Sequence, residues 1–233
     1  MQLTELPTTT ILDWLAATGT ASATDLADVA ELSQRALKTR LRSLEQAGLV
    51  RSEALLRGEP ALHTLTRAGL RAAGRPELES VAISAASFGH HLALARAAVA
   101  LRGAGERVGG ERELRAFERL EGRALASAAV GLARSGETAW HRPDLVCWRP
   151  QRPIAVEVEL TVKAPERLRA IVRGWARSRL VAGVVYYATP AAARAVSAAV
   201  RRESAEAAVA VLALGLAGDL GPFRSTSSFP SAP

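Results

Sequence analysis

From residue 8 to residue 70 the apolar positions recur at helical spacing in short stretches. Ile11, Leu12 and Leu15 form one stripe over residues 8–17. Leu26, Val29 and Ala30 form a second, behind a cap at Ser22 or Thr24. Leu32 and Ser33 make a tight turn, and Ser33 caps a third helix to about Ala47. There Leu37, Leu41 and Leu44 fall at i, i+4 and i+7 and turn inward. Gly48 ends that helix in the left-handed conformation. Residues 49–52 and 61–65 read as short strands around Arg57-Gly58-Glu59-Pro60, and Thr66 caps a helix through Leu70.

Beyond Gly74-Arg75-Pro76 the pattern changes. A helix is expected over residues 88–101, a weak strand near 106–108 and a helix over 111–120. Strands follow at 144–148 and 154–161, joined by a turn at 150–153. An amphipathic helix over 165–180 points Leu168, Ile171, Val172 and Trp175 inward. A buried strand at 183–188, a helix at 190–202 and a last strand at 207–213 complete the order. Helices that alternate with strands imply a mixed sheet covered on both faces. The overall class is therefore α/β (α+β across the whole chain). The expected division is a domain at 1–75, a second at 76–218 and a disordered Ser/Pro-rich tail at 219–233.

Charge sharpens this division. Residues 1–31 hold five acids and no Lys or Arg, whereas residues 32–75 hold nine bases against three acids. The whole chain has a formal net charge of +7, so an anionic partner is expected. A single cysteine, Cys147, excludes an internal disulfide framework and a Cys-based zinc site. No secretory leader is read at the start. The most apolar uncharged run, residues 207–218, is short of the ~20 residues a membrane helix needs, and the longer run at 80–95 carries three serines and two histidines. A cytoplasmic protein with no membrane partner is the expectation.

The first 70 residues thus have the order of a helix-turn-helix with a wing. The exposed face of the third helix carries Gln34, Arg35, Lys38, Thr39 and Arg42, and Arg57 stands at the tip of the hairpin. A helix fits the major groove of duplex DNA. Gln34 and Arg35 in its first turn can donate to base edges, and Arg57 can reach backbone or minor groove. The stretch "LKTRLRSLEQAGLV" followed by "LHTLTRAGL" resembles winged-helix domains of bacterial regulators. Double-stranded DNA is the expected partner, with protein binding by the third helix as the other reading. A homodimer is expected if the site is palindromic.

Candidate chemistry centres on residues 144–163. Ala155, Glu157, Glu159, Thr161 and Lys163 alternate with Ile154, Val156, Val158, Leu160 and Val162. Alternate strand residues point the same way, about 6.6 Å apart at i and i+2. Glu157, Glu159 and Lys163 would then share a face, and Asp144 would start the preceding strand of a hairpin beside them. Three carboxylates and an ammonium converging at a sheet edge suit a hard divalent ion, Mg²⁺ or Mn²⁺, with Asp144 and Glu157 as its ligands. Lys163 would steady charge on a phosphate. The bland alternative is a solvent-facing strand with an ordinary ion pair.

Pro143-Asp144 followed by Glu157-Val158-Glu159 resembles the PD-(D/E)XK nuclease superfamily. Where that pattern usually has lysine, this chain has Glu159, and Lys163 would be a displaced lysine. The superfamily often draws another acid from its first helix. Glu111 and Glu113 are the candidates, Glu113 preferred, and a solvated helix start is the competing reading. Together with the winged helix, "RPDLVCW", "IAVEVELTVK" and "ERELR" resemble the replication-relaxation family of actinobacterial plasmids and integrative elements. That resemblance implies a winged helix fused to a restriction-endonuclease-like domain. It implies a role in replication or mobilisation of such elements, alongside their replication or transfer proteins, and a metal-dependent endonuclease that cuts or nicks DNA. The alternative is a non-catalytic accessory protein or regulator that keeps the nuclease fold.

Other polar and aromatic residues read as structural. His141 reads as a loop histidine, with phosphate contact as the other reading. Trp140, Trp148 and Trp175 read as core, with base-stacking as the other reading, and Cys147 reads as a small buried hydrophobe. Arg169, Arg173 and Arg177 lie at i, i+4 and i+8, either following a DNA backbone or forming a solvated face.

Overall fold

The computed structural model describes residues 6–214. The expected tail, residues 219–233, lies outside them. Helices and mixed sheets are both present, and contacts divide the chain into two units between Val99 and Ala100. Among the described residues no helix is long and apolar enough to cross a membrane.

The first unit contains α1 (Leu6–Thr18), β1 (Ala21–Ser22), α2 (Ala23–Ala30), α3 (Gln34–Gln46), β2 (Val50–Glu53), β3 (Leu62–Leu65) and α4 (Arg67–Ala72). The three strands form an antiparallel sheet in the order β1-β3-β2. Local chemistry sets the helix starts. The Ser22 hydroxyl accepts from the Asp25 N–H while the Asp25 carboxylate accepts from the Ser22 N–H, a reciprocal box. Ser33 caps α3 and Thr66 caps α4. Gly48 takes φ +66° after the end of α3. Leu37, Leu41 and Leu44 are buried, as their spacing required. Gly69 lets α4 approach β2 closely, because a Cβ there would collide with the Leu49 carbonyl.

The stretch after residue 75 packs into this same unit. Arg67 donates to the Leu78 carbonyl (2.7 Å) and Arg51 to the Val81 carbonyl (3.0 Å). Helix α5 (Ala85–Gly103) places Phe88 and Leu92 against Leu62. The division between units therefore falls inside α5, later in the chain than the change of pattern at residue 75.

The second unit holds β4 (Arg107–Gly110), α6 (Glu111–Glu121), β5 (Ala128–Leu132), β6 (Thr138–His141), β7 (Leu145–Trp148), β8 (Ile154–Glu159), α7 (Pro165–Arg177), β9 (Gly183–Ala188), α8 (Pro190–Arg202) and β10 (Val209–Ala213). Five strands make one sheet in the order β10-β9-β8-β7-β4. β8, β9 and β10 run parallel, and β7 and β4 are antiparallel to their neighbours. This is the mixed sheet the alternation implied. Every residue of β8 and β9 is buried, so both faces of the sheet centre are covered. On one face Ala155, Val184, Tyr186 and Val209 pack with Leu168, Ile171, Val172 and Trp175 of α7 and Val196 and Val200 of α8. The hairpin β5–β6 was not foreseen. It lies along α7, where Gly174 leaves room for the Ala129 carbonyl (2.6 Å from a Cβ built there).

Candidate functional site

The helix α3 presents Gln34, Arg35, Lys38, Thr39 and Arg42 on its exposed face. They stand there because the three leucines on the other face bind the helix to the unit. Arg35, Lys38 and Arg42 make no ion pair among the described residues, and Arg57, exposed at the wing turn, makes none either. Thr39 donates its hydroxyl to the Arg35 carbonyl (3.2 Å). A groove of about 570 Å³ runs beside this face, bounded by Arg35, Lys38, Arg42, Glu45 and His63. Burial lowers the pKa of His63, whose Nδ1 lies 2.7 Å from the Ser52 hydroxyl.

In the second unit the structure brings Asp144, Glu157, Glu159 and Lys163 to the C-terminal end of β8. The antiparallel register that pairs Leu145 with Val156 puts Asp144 beside this end. The Asp144 Oδ2 accepts the Val158 N–H at 2.8 Å, so this carboxylate extends the strand ladder. Its carbonyl accepts the Glu111 N–H at 3.0 Å and so anchors the start of α6.

The surroundings differ from the expected open sheet edge. β8 lies between β9 and β7, and Glu157 and Glu159 are buried, with 3% and 5% exposure. β8 ends at Glu159, so Lys163 is not on the strand face. The chain turns after Leu160, whose carbonyl accepts the Thr189 hydroxyl (3.1 Å), and Pro165 then opens α7. Lys163 folds back to form an ion pair with Glu159.

Glu157 has a partner that its own strand does not supply. His141 Nε2 lies 2.6 Å from Glu157 Oε1, and the Trp175 indole N–H donates to the same oxygen at 3.2 Å. The two rings meet edge to face, with centroids 5.8 Å apart. Burial raises the pKa of Glu157, and His141 only partly opposes this. Burial works to lower the pKa of His141, but its bond to Glu157 and the charge of that carboxylate raise it overall. Tyr186, opposite Glu157 in the register, has its hydroxyl pKa pushed well up by burial and then by Glu157. The His141 bond was not legible because its partner is 16 residues away across an unforeseen strand.

A second buried carboxylate positions this segment. Glu118 of α6 accepts from the Ser127 hydroxyl (2.5 Å), the Leu125 N–H (3.0 Å) and Arg142 Nε (2.8 Å). Arg142 is thereby held between His141 and Asp144. Glu118 lies on the same α6 face as Leu114, a spacing that marks it as inward-facing.

Glu113, the preferred helix acid, is buried over Gly109 beside the Trp148 indole, while Glu111 pairs with Arg115 on the surface. Trp175 is core, but Trp140 is 43% exposed on β6. Cys147 is buried, and burial pushes its thiol pKa up to about 12. Arg169 and Arg173 are held by Glu203, just past the end of α8 (2.9 and 2.7 Å), so two members of the arginine stripe are already paired while still meeting solvent. Among the described residues no three His, Cys, Asp or Glu side chains are grouped as a metal-binding set.

No family model matches the chain, and no curated protein matches it. Among solved structures, a MarR family protein of Mycobacterium tuberculosis crystallised with salicylic acid is 28% identical over 50% of this chain and 74% of that chain, with a TM-score of 0.25.

Proposed function

We propose that the chain is a DNA-binding protein whose first unit engages duplex DNA through α3 and the wing. The observation behind this is the set of unpaired cations Arg35, Lys38 and Arg42 on one exposed helix face, with Arg57 on the adjoining hairpin. A cation with no protein partner releases counterions when it meets a phosphate, at no cost of a broken ion pair. Gln34 and Arg35 in the first turn would read base edges. Homodimerisation on a palindromic site belongs to the same proposal.

The finer proposal concerns the second unit: a PD-(D/E)XK-type domain that cuts or nicks DNA. It includes the replication or mobilisation role that the resemblance to replication-relaxation proteins implies. Asp144 and Glu157 would hold Mg²⁺ or Mn²⁺. Two carboxylates are a donor set that suits a hard ion keeping several waters, and the bonds to Glu157 from His141 and Trp175 both fall on Oε1. Such an ion would lower the pKa of a bound water and neutralise phosphate charge. In this reading Lys163 sets the orientation of Glu159, and Glu113 stays a buried carboxylate of α6.

One observation favours the non-catalytic alternative, an accessory protein or regulator that keeps the nuclease fold. Asp144 is engaged by a backbone N–H, Glu157 by the His141 ring nitrogen and the Trp175 indole N–H, and Glu159 by Lys163, so each carboxylate already has a structural duty. The deciding experiment incubates the purified chain with supercoiled plasmid and Mn²⁺, with and without EDTA. Metal-dependent nicking or linearisation that Glu157→Gln abolishes, while duplex binding persists, supports the nuclease. Intact plasmid together with duplex binding selects the accessory reading. Absence of duplex binding removes both.

A further inference from the structure

The hairpin β5–β6 and the end of α7 enclose a groove of about 510 Å³ that the reading above leaves unused. Trp140 and Leu132 line it and are 43% and 75% exposed. Arg177 and Arg179 line it from the other side, both exposed. Neither arginine makes an ion pair among the described residues, unlike Arg169 and Arg173 of α7. No carboxylate lines the groove. An exposed indole opposite two unpaired guanidinium groups is costly to leave in water, because the large ring keeps its apolar area exposed.

We propose that this groove binds unpaired DNA, with a base stacked on Trp140 and the adjoining phosphates against Arg177 and Arg179. An aromatic platform beside a basic track is the chemistry that holds single strands without reading sequence. The absence of carboxylates fits a polyanion. Side chains alternate along β6, so Trp140 faces the groove while His141, the next residue, faces Glu157. A strand held in the groove therefore lies across β6 from the carboxylate cluster. The choice of DNA over RNA rests on the function proposed above; the groove chemistry does not.

The test uses the full chain in EDTA with fluorescein-labelled oligo(dT)12 and measures anisotropy in the presence of unlabelled duplex that saturates α3. Trp140→Ala should weaken oligo(dT) binding about tenfold, the scale of one lost stacked base. Trp140→Phe should recover most of that loss. Arg177→Gln with Arg179→Gln should weaken binding and flatten its salt dependence by about 0.7 in log–log slope per lost phosphate contact. Equal affinity in wild type and Trp140→Ala, or no oligo(dT) binding by the wild type, overturns the proposal. So does tighter binding of oligo(rU), or a Trp140→Ala effect confined to self-association on a sizing column. Oligo(dT) bound through Trp140 by a chain that never cleaves plasmid upholds the groove and removes only the nuclease reading.

Discussion

His141 and Glu157 are joined by a 2.6 Å hydrogen bond between Nε2 and Oε1, inside a layer where Glu157 is almost wholly shielded from water. A buried carboxylate without a partner carries a large desolvation penalty, and here the partner comes from an adjacent hairpin. The bond thus ties β6 to β8 and orients the cluster at the end of β8.

Removing one partner should cost far more than replacing both. His141→Ala leaves Glu157 with only the Trp175 N–H and should destabilise the fold by about 3 kcal/mol in urea titrations. His141→Leu with Glu157→Gln should cost clearly less than the sum of the single changes. The pH dependence has a fixed sign. Both groups have folded-state pKa values raised above their ordinary ones, so the folded chain holds its protons more tightly than the unfolded chain. The stability His141 supplies is complete below pH 6.5 and is lost as pH rises through its raised value. Glu157 acts in the same direction, starting above pH 4.5. Glu203 behaves oppositely: bonds from Arg173 and then Arg169 lower its pKa to about 2, so its contribution is present above pH 4.5 and fades towards pH 2. The stability gap between wild type and His141→Ala should therefore narrow from pH 6 to pH 9. The gap to Glu203→Gln should narrow below pH 4.5. Parallel profiles would contradict both assignments.

What the sequence made legible was local. The stripe Leu37, Leu41, Leu44 and the caps Ser22, Ser33 and Thr66 are each set by residues within a few positions, and the structure keeps them. Asp144 beside β8 was legible because a short turn joins the two strands. The β5–β6 hairpin was not, because Ala129, Gly131 and Ala139 give no alternation of branched side chains. The place of Lys163 failed for a related reason. The alternating pattern runs on past Glu159, but the chain must leave the sheet to begin α7 at Pro165. Phe88 against Leu62 is a long-range contact that no periodicity encodes.

That contact leads to a test of the first unit. Phe88 is fully buried, so Phe88→Ala should cost about 3 kcal/mol or more. A chain ending at residue 75 loses the Leu78 and Val81 carbonyls along with Phe88. It should melt well below a chain ending at Gly103, measured by circular dichroism. Equal melting temperatures would show that residues 76–103 add nothing to the winged unit.

The duplex interface predicts a salt signature. Arg35→Ala and Lys38→Ala should each weaken DNA binding and lower the log–log salt slope by about 0.9 if the lost contact is to a phosphate. If Arg35 instead meets a base edge, its loss should also relax sequence preference. Both residues are exposed with no ion pair, so melting temperatures should hardly move. Unchanged affinity and slope in both variants would remove α3 from the interface.

Glu159 offers the sharpest contrast between sequence pattern and packing. The nuclease pattern usually has lysine there, so Glu159→Lys superficially restores it. The surroundings argue against tolerance: the side chain is 6% exposed and already paired with the Lys163 ammonium. A lysine at 159 would place two cations together in a poorly hydrated pocket, with burial and like charge acting in the same direction. The variant should lose about 3 kcal/mol of stability, and duplex binding through α3 should survive at low temperature. Glu159→Gln, which removes the charge without adding one, should lose less. The charge exchange Glu159→Lys with Lys163→Glu should recover part of the loss, because it restores an opposite-charge pair in reversed order. Urea titrations of the four chains decide the matter. A Glu159→Lys chain as stable as wild type would mean that the pocket accepts a buried ammonium, and the pair with Lys163 would then have no hold on this end of β8.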